Sequence, residues 1–162
     1  MKTVQAIKEK GKEWHFTSEK IDLKNPLILV FGNRFSLESP TIYDELKAMF
    51  PIGNIVFGST SGEILGENVY DESITLTAIE FEKSQYRIHS ENIHDFENNS
   101  EKLGAALNDK FSKEGLKHLF IVSDGNLVNG SALIHGLEKN CPDNITITGG
   151  LCGDDARFEK TL

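Results

Sequence analysis

Cysteine is scarce in this 162-residue chain: Cys141 and Cys152 are the only two, and they form no C-x-x-C pair. That excludes a disulfide framework and leaves no zinc-knuckle spacing. Long apolar runs are missing as well. No stretch approaches the roughly 18 residues that span a bilayer, and Met1 to Lys8 lacks the apolar core of a secretory signal. The expectation is a cytoplasmic protein without a membrane span. Positive charge is in deficit, with 17 Lys and Arg against 25 Asp and Glu, a net charge of −8. Gripping nucleic acid or an anionic membrane would work against that field. The deficit is uneven: residues 1–24 carry six Lys and four acids, and the remainder eleven basic against twenty-one acidic residues. Residues 1–24 therefore read as an N-terminal arm or first element, and 25–162 as the body. The five histidines are scattered, and His89 and His94 have opposite strand parity, so no metal or other cofactor is expected.

What is present is alternation. Pro26-Leu27-Ile28-Leu29-Val30-Phe31 is a continuous apolar run that reads as a buried strand. Ser39-Pro40 opens an amphipathic helix carrying Ile42, Leu46, Met49 and Phe50, stopped by Pro51. Asn54 to Gly58 predicts a second strand. Ser73–Glu82 and Gln85–Ile93 read as a hairpin turning at Lys83-Ser84. Asn99 or Ser100 caps a helix with Leu103, Ala106, Leu107 and Phe111. Leu119 to Val122 is a further strand, Asn129 caps a helix bearing Leu133, Ile134 and Leu137, and Ile145 to Thr148 is the last strand, entering Gly149-Gly150. The predicted fold is α/β: a mixed, mostly parallel sheet with crossover helices and one antiparallel hairpin, in the order β-α-β-β-β-α-β-α-β.

In such sheets ligands bind beyond the carboxyl ends of the strands. The polar and glycine-rich segments gather there: Asn33-Arg34, Gly58 to Glu63, Ser123 to Asn126, and Gly149 to Asp155. Glycines admit close backbone approach, hydroxyls and N–H groups bind carboxylate or phosphate, and Asp124 or Asp154 can receive an amine. Arg34 is a candidate carboxylate clamp. Each segment also has a structural reading, as a positive-φ turn or a helix cap. Catalytic templates fail. Gly58-Ser59-Thr60-Ser61-Gly62 centres on Thr60 and so is not G-x-S-x-G, and it lacks the lysine of a P-loop.

Three stretches taken together carry a resemblance. Ile55-Val56-Phe57-Gly58-Ser59-Thr60-Ser61-Gly62-Glu63-Ile64 comes first. Leu119-Phe120-Ile121-Val122-Ser123-Asp124-Gly125 with Asn129-Gly130-Ser131 comes second, and Gly149-Gly150-Leu151-Cys152-Gly153-Asp154 with Arg157-Phe158 third. They resemble the signature stretches of the FIST N-terminal domain, G-C-S-T-A-G-E-I, S-D-G-x-x-x-N-G and G-G-x-A-G-D-x-x-x-F, in the same order. Phe57-Gly58 replaces the family's usual Gly-Cys, and Cys152 stands where Ala is common. The resemblance implies a sensory module of signal transduction that binds a small ligand such as an amino acid. It also implies a FIST C-terminal domain or a downstream signalling protein as partner. The end at Thr161-Leu162, amid ordinary globular sequence, reads as truncation before that partner domain. Carried over by position, the binding candidates are Ser59, Thr60, Glu63, Asp124, Asn129, Gly149, Gly150, Asp154 and Arg157, joined by Arg34. Arg157 could instead simply pair with Asp154 or Asp155. Two other readings stay open: a hydrolase or transferase using Thr60, Ser123 or Cys152 as nucleophile, and a scaffold domain.

Overall fold

Val4 and Ala6 alternate with polar neighbours in the first residues, and both are fully buried in strand β1 (Lys2–Glu9). The computed structural model describes residues 1–139 and 141–162, and it divides the chain into two compact units. The first comprises Met1–Tyr86 and Gly153–Leu162, the second Arg87–Cys152.

In the first unit, β1 is followed by β2 (His15–Phe16), β3 (Leu27–Gly32), the short helix α1 (Arg34–Leu37), α2 (Ile42–Met49) and β4 (Asn54–Ser59). A hairpin of β5 (Glu63–Leu65) and β6 (Asn68–Tyr70) comes next, and then β7 (Ser73–Glu80). Five strands form one sheet in the order β2-β1-β7-β3-β4. β3 and β4 are parallel, joined by the α2 crossover; the other pairs are antiparallel. The apolar run predicted as a buried strand is β3, where Ile28 and Val30 are fully buried against Leu46 of α2, with Ile74, Leu76 and Ala78 of β7 in the same core. Helix α2 starts at Ile42 rather than at Pro40, with Thr41 in the capping position.

The hairpin is not where the sequence puts it. β7 does not pair with Gln85–Ile93; it lies between β1 and β3, in register with both, from Lys2↔Glu80 to Glu9↔Ser73 on one side and from Leu27↔Ile79 to Gly32↔Ile74 on the other. With both edges of β7 occupied, no edge remains for a third strand. The antiparallel hairpin is instead β5–β6, turning at Gly66, whose φ of +63° suits glycine.

The second unit holds a 3₁₀ turn (Ile93–Phe96), α3 (Ser100–Asp109), β8 (His118–Ser123), α4 (Gly130–Glu138) and β9 (Thr146–Leu151). β8 and β9 form a parallel pair. Its separate core is built on Ile93, Leu103, Leu119, Val128, Leu133 and Leu137. Asn99 caps α3 and Asn129 caps α4, each through its side-chain oxygen. The two helices touch backbone to backbone: a Cβ on Gly104 would lie 2.2 Å from Leu133 O, and one on Gly136 2.1 Å from Glu101 O. Gly149 and Gly150 belong to strand β9 and not to a loop beyond it. Across the described residues the fold is mixed α/β, with a mixed five-stranded sheet, a parallel pair, an antiparallel hairpin and four α-helices.

Candidate functional site

The ends of β3 and β4 lie side by side, with Gly32 opposite Ser59. From Gly32 the chain enters α1 through Asn33, whose Oδ1 accepts the Phe35 N–H at 3.0 Å. This helix was not legible in the sequence, being only one turn long. It delivers Arg34 to the strand ends.

Onto these ends folds the strap Gly153–Leu162. Ser59 is fully buried, and every polar atom it has is bonded to one end of the strap or the other. Its N–H donates to Leu162 O at 3.1 Å and its carbonyl accepts from Gly153 N at 2.8 Å. Its hydroxyl donates to Gly153 O at 2.8 Å and accepts from Leu162 N at 2.9 Å. A segment of this size whose two ends meet has the form of an Ω-loop.

Asp154 anchors the strap from within. Its Oδ1 accepts Arg34 Nε at 2.9 Å and Arg157 Nε at 3.1 Å. Its Oδ2 accepts the backbone N–H of Glu159 at 3.2 Å and of Lys160 at 3.3 Å. Burial pushes this carboxyl upward, but the bonds from Lys160, Arg34, Glu159 and Arg157 outweigh it and hold the pKa down to about 2. Asp155 accepts Arg157 Nη2 at 2.6 Å and Asn33 Nδ2 at 3.1 Å. Both guanidinium groups lie near the Phe35 ring, Arg34 at 4.4 Å and Arg157 at 4.7 Å from its centroid, and the residue is 56% exposed. Each guanidinium, although partly desolvated, is raised above its ordinary pKa by these carboxylates.

Thr60 and Glu63 form a neighbouring group. Thr60 donates its hydroxyl to Glu63 Oε1 at 2.6 Å, and the other carboxylate oxygen of the buried Glu63 accepts the N–H and the hydroxyl of Ser73. Glu63 thereby ties β5 to the first residue of β7. Elsewhere in this unit, Lys8, Ser36, Ser39, Thr41 and Glu45 line a shallow groove of about 150 Å³, below the roughly 300–1,000 Å³ of most ligand pockets.

The structure thus brings Arg34, Asp154 and Arg157 together with Ser59, and places Thr60 and Glu63 in the same unit. Asp124, Asn129, Gly149 and Gly150 lie in the second unit. There Asp124 Oδ1 accepts the N–H of Asn126 and of Leu127 in an Asx-type turn. Asn129 Oδ1 caps α4 through Ala132 N at 2.9 Å. Gly149 has φ +145°, and a Cβ there would fall 1.9 Å from Ile121 O. Cys152 is buried, and its N–H bonds Ser123 O at 2.7 Å. Sequence reasoning placed Asn33 and Asp155 in the rim segments without naming them as binding residues, and passed over Phe35 and Glu159. For Asp155 the signal was adjacency to Asp154 and Arg157; for the others it was only proximity in chain to Arg34 or Arg157.

Among the described residues no group of three His, Cys, Asp or Glu side chains is placed to hold a metal ion, and no helix is long and apolar enough to cross a membrane. No curated protein and no solved structure matches the chain. The FIST N domain family does, over residues 26–162, a span that takes in all three motif stretches and both the β3–β4 ends and the strap. The chain belongs to the FIST N domain family, a family of sensory domains of signal transduction.

Proposed function

We propose that the chain binds a small polar ligand, an amino acid or a related molecule, at the ends of β3 and β4, and that this binding is the sensory event. The observation that carries the reading is the pair of guanidinium groups flanking the half-exposed Phe35, at 4.4 and 4.7 Å, where two parallel strands end. Such a cluster offers a carboxylate two guanidinium cations, an amine the oxygens of Asp155 or Glu159, and a side chain an aromatic surface. Ser59, Thr60, Glu63 and Asp154 then shape the site from behind. Signal output requires unequal affinity for two states of the protein, read by a FIST C-terminal domain or a downstream signalling protein.

Isothermal titration calorimetry against a panel of amino acids and small organic acids tests this reading. Saturable heat with at least one member, abolished by Arg34→Ala in a protein that remains folded by circular dichroism, is the expected result. Silence across the whole panel would overturn it.

A further inference from the structure

Arg34 holds two carboxylates of very different character. Asp154, whose side chain is 1% exposed, takes Nε; Glu159, 65% exposed, takes Nη2, each at 2.9 Å. Asp154 is bonded from four directions, so its departure would strand a buried charge. The Glu159 carboxylate bonds Arg34 alone among the described residues, and an ion pair so open to water holds weakly. One arm of the guanidinium is therefore locked and the other is occupied by an exchangeable group.

Resting on the ligand site proposed above, we propose that Glu159 is a built-in stand-in for the ligand's carboxylate: a small monocarboxylate displaces it from Arg34 Nη2, and the freed Glu159 side chain turns into water. The charge arithmetic favours one negative charge over two. Arg34 and Arg157 already face Asp154, Asp155 and Glu159. Exchanging one singly charged carboxylate for another leaves the balance unchanged, whereas a phosphate dianion would add repulsion from Asp154 and Asp155. Phe35, beside Arg34, supplies a surface for whatever the carboxylate is attached to. The Glu159 N–H stays on Asp154 during the exchange, so the strap remains docked while its side chain reports occupancy.

Calorimetry on the full chain and on Glu159→Ala and Glu159→Gln tests the exchange, with acetate, glycine and L-alanine as probes and methylamine and inorganic phosphate as comparisons. Removing the competitor should tighten acetate and amino-acid binding by about two- to fivefold in Glu159→Ala. Glu159→Gln should gain less, because its amide oxygen still accepts from Arg34; methylamine should gain nothing, and phosphate should gain less than the monocarboxylates. Equal or weaker binding of the carboxylates by Glu159→Ala overturns the stand-in role while leaving the ligand site intact. Absence of binding in the parent and in both variants, all folded by circular dichroism, overturns the site and the stand-in together.

Discussion

Ser59 carries no exposed surface, and its hydroxyl both donates to Gly153 O and accepts from Leu162 N. Ser59→Ala leaves both strap groups without their partner and should cost about 1–3 kcal/mol, read from urea denaturation midpoints. The cut should also expose residues 155–160 to protease sooner than in the parent. Asp154 gives a pH signature. Its pKa is depressed in the folded protein to about 2 from the ordinary 3.8, so its stabilisation is fully present above about pH 4 and lost as pH falls through about 2. Denaturation midpoints measured from pH 6 to pH 2 should therefore fall less steeply in Asp154→Asn than in the parent. The Asp154–Arg157 pair was legible in the sequence, because its members stand three positions apart. The Arg34–Asp154 pair was not. Its members stand 120 residues apart, and only the docking of the strap on the strand ends brings them into register.

Elements with a strong internal period were legible: β3, β4, β8 and the helices α2, α3 and α4 lie close to where apolar spacing and caps put them. β1 was hidden by its composition, since lysines on the more open positions of Lys2–Glu9 made an interior strand look like a basic arm. Overlooking β1 also caused the hairpin error, because it left β7 without its true neighbour. β5 and β6, three residues each, are too short for any period to show. The α3–α4 contact supplies the prediction at this scale. Gly136→Ala would put a methyl group 2.1 Å from Glu101 O, and separating the helices to admit it should cost about 1–3 kcal/mol. Thermal denaturation followed by circular dichroism measures this; an unchanged midpoint would mean that the helices part without loss.

At the scale of the whole molecule the chain has two cores, one around Leu46 and one around Leu137, both fully buried. Leu46→Ala and Leu137→Ala should each cost about 2–5 kcal/mol. Hydrogen exchange should show protection lost first in residues 1–86 and 153–162 for the one, and in 87–152 for the other. The first unit is, moreover, discontinuous in sequence, and that has a consequence for how the protein is made. Ser59 leaves the ribosome 94 residues ahead of Gly153, a delay on the order of 5 to 20 seconds at ordinary elongation rates. Throughout that interval the nascent sheet lacks the segment that closes over Ser59 and Arg34, so its last step of folding waits on the codons for Gly153–Leu162.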